Sequence, residues 1–123
     1  MKKLDLHDRR FVGVVNYDSG DANQDTVFYY DQVNDIVLGH YEGGRIRHGQ
    51  ILGRVMNDGR IDLVWQYLNI DGRLVAGTCI STPEILADGR YRLHEKWQTT
   101  LGPDAGLVGE SVIEETREKD HIE

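Results

Sequence analysis

A chain of 123 residues has the size of one domain, and a hydrophobic fraction of 39% is sufficient for a core of its own. Fourteen basic residues against 21 acidic ones give a formal net charge of −7, which argues against nucleic acid and anionic membrane surfaces as partners. One cysteine, Cys79, excludes an intramolecular disulfide and fits a cytoplasmic location, while a signal-peptide core and a membrane-spanning run are both absent from the sequence.

Eight short segments alternate apolar and polar residues with a period of two, and they are rich in residue types that favour strands. In chain order, the predicted strands span residues 10–17, 24–31, 35–42, 44–56, 60–69, 73–82, 90–100 and 108–116. No segment carries a helical stripe. The sequence therefore predicts an all-β protein with three parts, which are an N-terminal extension (1–9), a β-barrel domain (10–116) and a charged tail (117–123).

The connections between these segments carry turn residues, most clearly three Asp-Gly pairs that are each followed by an arginine. The triplets are Asp58-Gly59-Arg60, Asp71-Gly72-Arg73 and Asp88-Gly89-Arg90. Asp tolerates and Gly prefers the positive φ of a type I′ turn, so each pair predicts a tight hairpin of that type. Because the flanking strands do not match one another, we attribute the recurrence to turn chemistry rather than to an internal repeat.

Short connections make sequential strands neighbours, which predicts an antiparallel up-and-down meander of about eight strands. An open meander would expose two edges able to pair with a second copy and form a homodimer, whereas closure removes both edges. A barrel of about eight strands has an interior that is either filled by side chains or holds one small ligand. The predicted fold is therefore a barrel, and its interior is the place to look for a function.

The alternation also assigns side chains to the two faces of a strand. The larger and more apolar face of segment 60–69, predicted to point inward, consists of Ile61, Leu63, Trp65 and Tyr67. In segment 90–100 one face is plainly solvent-facing, with Arg90, Arg92, His94, Lys96 and Gln98. This forces Glu95 inward, next to Trp97. A buried carboxylate is either paired or raised in pKa, so Glu95 is predicted to anchor a ligand, to act as an acid or base, or to bind an internal partner.

Segment 44–56 gives no clear inward face, because both of its faces mix apolar and polar residues. Gly49 and Gly53 are predicted to mark bends or bulges where a long barrel strand turns. Tyr41, just before this segment, is predicted to point inward. His48 is kept as a candidate ligand contact.

The motifs of common catalytic and metal sites are absent from the sequence. The five histidines have no spacing that converges on one metal, so neither a metal nor another cofactor is predicted. Cys79 lies between small residues and suits a buried apolar position better than a nucleophile. The segment from Gln50 to Val55 approaches the pattern with which acetyltransferases grip coenzyme A, but it ends in Val and is followed by a turn instead of a helix. Acetyltransferase activity is therefore rejected.

A longer order of motifs covers almost the whole predicted barrel domain. It includes Tyr41-x-Gly43-Gly44-x-Ile46-x-x-Gly49-x-x-x-Gly53, then Gly77-x-Cys79-x-Ser81-x-Pro83-Glu84, then Leu93-x-Glu95-x-Trp97-Gln98. This order resembles a family of small bacterial proteins that often carry the label N-acetylglutamate synthase by automatic transfer. The resemblance implies a calycin-like or avidin-like barrel. It supplies no catalytic residues, because the true synthases resemble acetyltransferases or amino-acid kinases.

Three functions follow from these expectations. The first is binding of a small molecule inside the barrel, since aromatic walls with a few polar anchors are typical of compact ligand pockets. The residues predicted for it are Glu95 as anchor, with Trp97, Trp65, Tyr67, Tyr41 and His48. The second is a structural or protein-interaction module whose aromatic residues fill the interior. The third, and the least favoured, is an enzyme that uses Glu95 as acid or base.

Overall fold

The computed structural model describes residues 4–16 and 20–116, which form eight antiparallel strands. The strands are β1 (Arg9–Val15), β2 (Val27–Val33), β3 (Ile36–Gly43), β4 (Ile46–Val55), β5 (Ile61–Asn69), β6 (Leu74–Ile85), β7 (Tyr91–Leu101) and β8 (Val108–Glu115). Each begins and ends within three residues of its predicted bounds. The all-β fold is confirmed, while the charged tail lies outside the described residues.

Closure of the sheet joins the first strand to the last. Each strand pairs with the next along the chain, and β1 also pairs antiparallel with β8, where Phe11 lies opposite Glu115 and Gly13 opposite Ile113. The predicted barrel is therefore confirmed. Because β1 to β8 leave no free edge, dimerisation by sheet extension, expected only of an open meander, has no strand to use.

The Asp-Gly pairs lie in hairpin turns, but the type I′ prediction is wrong. At the first pair the amide of Gly59 donates to the carbonyl of Met56 at 2.9 Å. Gly59 has a φ of +88°, whereas Asp58 is not among the described residues with positive φ. The glycine therefore follows the central residues of the turn and takes the left-handed position of a G1 bulge. The second and third pairs repeat this bond and this positive φ.

The arginine that follows two of these turns donates hydrogen bonds to the aspartate of the same turn. The main-chain N–H of Arg60 donates to Oδ1 of Asp58 at 3.1 Å, and its Nε donates to Oδ2 at 2.8 Å. Arg90 and Asp88 make the same two contacts at the same distances, 3.1 and 2.8 Å. An aspartate that binds the chain two residues on stabilises the turn itself. Turn chemistry therefore accounts for the recurrence of the triplet at these two turns.

The segment before β1 closes one end of the barrel. Leu6 is fully buried there, and its amide donates to Oε1 of Gln32 at 2.9 Å. Nη1 of Arg9 donates to both carboxylate oxygens of Glu115, at 2.8 and 3.1 Å. The guanidinium of Arg9 also lies 4.3 Å from the centre of the Tyr91 ring. We call this arrangement of Leu6, Arg9 and Glu115 the plug.

The half of the interior next to the plug is filled by apolar side chains. Those with no exposed surface are Phe11, Val37, Ile61, Leu93 and Ile113, together with Leu6. They come from strands on all sides of the barrel and supply its hydrophobic core. The side-chain packing expected of a structural module is therefore present in this half of the interior and not in the other half.

Strand β4 shows why its sequence gave no clear inward face. Its pairing with β5 shifts register between Ile46 and His48. Ile46 points inward on one side of this bulge, and Gly49 and Ile51 point inward on the other, so the alternation changes phase within the strand. The predicted irregularity is present, but it lies before Gly49 rather than at either of the two predicted glycines.

Candidate ligand-binding site

The half of the barrel away from the plug contains a cavity of about 520 Å³. Small-molecule sites in proteins span roughly 300 to 1,000 Å³. Its aromatic lining consists of Phe28, Tyr30, Tyr41, Trp65, Tyr67 and Trp97. Its hydrogen-bonding and charged lining includes Asp21, Asn69, Arg73, Glu95, Thr99, Asp104 and Ser111. The barrel is therefore packed at one end and hollow at the other.

Five of the six predicted ligand contacts line this one cavity. They are Tyr41, Trp65, Tyr67, Glu95 and Trp97. Their inward orientation is confirmed, while their role in binding stays a prediction. The sixth, His48, does not line the cavity, contrary to the prediction. It lies exposed on the outer face because of the β4 bulge, and its ring stacks on that of His40 with a centroid distance of 6.3 Å.

The two tryptophans lie against the barrel wall, each over a glycine of the neighbouring strand. Trp65 is opposite Gly77, and Trp97 is opposite Gly109. A Cβ added to Gly77 would lie 2.6 Å from Cε2 of Trp65, and one added to Gly109 would lie 2.7 Å from Cη2 of Trp97. Both distances are far inside van der Waals contact, so the indoles occupy the space that any other residue's side chain would take. Each indole therefore lies against the backbone of the neighbouring strand, and both tryptophans line the cavity.

Tyr41 and Gly49 repeat the arrangement on β3 and β4. They are opposite each other, and a Cβ at Gly49 would lie 2.6 Å from Cε1 of the tyrosine ring. Glycine beneath an aromatic ring is a recurrent way to stabilise an otherwise weak strand position. In this barrel it also moves three large rings out of the centre, and the cavity remains open.

The polar atoms of two of these rings are bound to the protein wall. Nε1 of Trp65 donates to the main-chain carbonyl of Thr78 at 3.2 Å. The hydroxyl of Tyr41 donates to the main-chain carbonyl of Gln66, also at 3.2 Å. Burial raises the pKa of Tyr41 well above its ordinary value, so this hydroxyl stays protonated. Both residues therefore present ring faces, and not donors, to the cavity.

Asp21 accepts hydrogen bonds from three side chains at the open end of the cavity. It accepts hydrogen bonds from the hydroxyl of Tyr67 at 2.8 Å, from Nε of Arg45 at 3.2 Å and from Nδ2 of Asn69 at 3.3 Å. Burial raises the pKa of Tyr67, and the hydrogen bond to Asp21 raises it further. These contacts connect the segment before β2 to the turn between β3 and β4 and to β5, and they form what we call the rim.

Glu95 lies in a polar row that crosses three strands. Ser81 is opposite Glu95 on β6, and Ser111 is opposite it on β8. The hydroxyl of Ser111 donates to Oε1 of Glu95 at 3.4 Å. The hydroxyl of Ser81 is fully buried and has no hydrogen-bond partner among the described residues. The row places a carboxylate and two hydroxyls next to the aromatic walls. The sequence predicted Glu95 in it and missed both serines.

The burial of Cys79 in the cavity wall can be tested through the pH dependence of stability. Burial raises the pKa of its thiol above the ordinary value of 9.0, and the nearby charge of Glu95 adds a smaller effect. The neutral thiol therefore favours the folded state below about pH 9. Above that pH the unfolded chain loses the proton and the folded protein keeps it, so stability falls, by up to about 1.4 kcal/mol per pH unit for this group.

Urea unfolding between pH 7 and pH 10.5 measures this effect. Cys79→Ala is the control, because it removes the thiol and leaves the tyrosines to titrate as before. The free energy of unfolding should fall more steeply above pH 9 in the wild type than in the variant. Parallel curves would contradict the raised pKa.

A closed antiparallel barrel of eight strands with an aromatic-lined cavity in one half has the architecture of a small up-and-down β-barrel. The family model described as "Avidin-like protein" matches residues 4–116. Since the match covers most of the chain, the chain belongs to the avidin-like family, as the resemblance implied for its fold. No curated protein and no solved structure gives a significant match. Within residues 4–16 and 20–116 there is no helix long and apolar enough to cross a membrane.

Proposed function

We propose that this protein binds a small organic molecule in the cavity of about 520 Å³. The observation that carries the proposal is the set of glycines beneath Trp65, Trp97 and Tyr41. Glycine inside a strand costs roughly 0.5 to 1 kcal/mol relative to alanine, because it loses more conformational freedom on folding. The ring that packs over each glycine offsets part of this cost, but a barrel selected for stability alone gains nothing from a centre left empty. A barrel that holds a ligand does.

The distribution of burial supports the same proposal. The six apolar side chains with no exposed surface form a packed core and do not line the cavity, so part of the interior is filled without it. Burial also raises the pKa of Cys79, which keeps the thiol protonated and makes it a poor nucleophile. This argues against nucleophilic catalysis by Cys79 at the cavity. The free thiol is consistent with the cytoplasmic location that we also propose, and the resemblance in sequence supports a bacterial origin.

Filling the cavity is expected to abolish binding. Cys79 lines it, so Cys79→Phe places a ring inside, whereas Cys79→Ala removes the same thiol and leaves the space open. A screen of metabolites and lipids by thermal shift should give compounds that raise the melting temperature of wild type and Cys79→Ala but not of Cys79→Phe. A ligand at about 100 times its Kd stabilises the folded state by about 2.7 kcal/mol, which is several degrees for a domain of this size.

Two results would contradict the proposal. One is a screen in which no compound raises the melting temperature of the wild type. The other is an equal response of Cys79→Phe and wild type to the same compounds, provided that the variant unfolds cooperatively.

A further inference from the structure

Several hydrogen-bond donors of the cavity wall are already used within the protein. The indole N–H of Trp65 and the hydroxyls of Tyr41 and Tyr67 are donated to protein atoms. The hydroxyl of Ser111 is directed to Glu95. The lining also presents the guanidinium of Arg73 and the hydroxyl of Thr99, together with the carboxylate of Glu95 and the faces of aromatic rings. A ligand with donors of its own complements the carboxylate and the ring faces.

The charges around the cavity are predominantly negative. Three carboxylates line it among the described residues, namely those of Asp21, Glu95 and Asp104, against one guanidinium, that of Arg73. Arg45, which binds Asp21 at the rim, adds a second cation and still leaves an excess of one negative charge. The net charge of −7 on the whole chain has the same sign. Such a field raises the local concentration of cations and repels anions.

The aromatic faces add a second attraction of the same kind. The face of an indole is the negative pole of its quadrupole, and a cation within about 6 Å of the ring centre is stabilised there. Trp97 lies two residues from Glu95 on the same face of β7, which is a separation of roughly 7 Å along a strand. A cationic group beside the carboxylate is therefore within reach of the Trp97 face as well.

We propose that the occupant of the cavity is an organic cation, such as an amine or a guanidinium compound. Its charged group lies beside Glu95 and against the face of Trp97, and its apolar body lies along Trp65. This inference rests on the proposed function and assigns the ligand its chemical class. The same carboxylate and ring faces disfavour a ligand that carries a carboxylate or phosphate into this part of the cavity.

Three indoles of nearly equal size test the inference by calorimetry. Tryptamine carries a cation, tryptophol is its neutral counterpart, and indole-3-propionate carries an anion. Wild type is expected to bind tryptamine at least tenfold more tightly than tryptophol, and indole-3-propionate most weakly. Glu95→Gln should remove this preference. Glu110→Gln is the matched control, because it removes an exposed carboxylate opposite Lys96 on the outer face and should retain the preference.

The outcomes separate this inference from the proposed function. Equal binding of tryptamine and tryptophol to wild type overturns the inference, and this comparison needs no variant to fold. A preference retained in Glu95→Gln also overturns it. If none of the three indoles binds, the charge of the compounds found by the thermal-shift screen tests the inference. Neutral or anionic ligands among them refute the cationic class of the ligand and leave the proposed function standing. A screen that finds no ligand refutes both.

Discussion

Replacement of Arg9 by methionine should lower the free energy of unfolding by about 3 kcal/mol, because it leaves a buried carboxylate without its cation. Glu115 is 4% exposed and accepts two hydrogen bonds from Arg9, at 2.8 and 3.1 Å. It also accepts the main-chain N–H of Tyr91 at 3.0 Å, which holds the carboxylate inside the barrel. Urea unfolding followed by tryptophan fluorescence gives the loss directly.

A surface ion pair provides the control for this substitution. Arg54 and Asp62 approach to 3.5 Å, but their side chains are 69% and 45% exposed. Arg54→Met removes the same charge and should cost less than about 1 kcal/mol, since solvent screens an exposed pair. The double substitution Arg9→Met with Glu115→Gln should recover part of the loss, because no unpaired charge stays buried. Equal losses for Arg9→Met and Arg54→Met would show that the plug does not contribute in this way.

Gly109→Ala should destabilise the protein by about 2 kcal/mol and also weaken ligand binding, since the new methyl group drives a ring into the cavity. The three nearest atoms to the added Cβ all belong to the indole of Trp97, with Cη2 at 2.7 Å and Cε2 at 2.9 Å. The ring is therefore the group that must move. Gly77 is a poorer choice, because a Cβ there also meets the main-chain oxygen of Gln98, which is fixed in the sheet.

A double-mutant cycle identifies the ring as the cause of this loss. In a Trp97→Leu background the smaller side chain leaves room for the methyl group, so Gly109→Ala should cost little. The two substitutions should then show a coupling of about 1 to 2 kcal/mol, as residues in direct contact do. The same cost in both backgrounds would mean that the strand backbone, and not Trp97, requires glycine at this position.

The strands and the inward carboxylate were predictable because they depend on local regularities. Alternation with a period of two reports which residues share a face, and basic side chains on one face of β7 left only one orientation for Glu95. The Asp-Gly pairs correctly located three hairpins, although the backbone conformation of the turns was not the one predicted. These features belong to single strands or to neighbouring residues.

The open cavity was not predictable, because it depends on which residues lie opposite one another. Trp65 and Gly77 are 12 positions apart, and only the register of β5 with β6 brings the ring over the glycine. The change of phase between Ile46 and His48 likewise arises from pairing with β5, and it turned His48 outward. Asp21 lies before β2 and reaches the rim through contacts with other strands, so alternation gave no indication of its role.

The plug has a consequence for the kinetics of exchange. With one end of the barrel closed by Leu6 and by the Arg9–Glu115 pair, the rim is the portal that the described residues leave for a molecule that would occupy the cavity. Changes at a portal alter the rates of entry and exit together and leave the equilibrium constant nearly unaffected. Changes at the inner contacts act mainly on the dissociation rate. Substitutions at the rim would therefore change the residence time without changing the affinity, whereas substitutions at the inner contacts would change both.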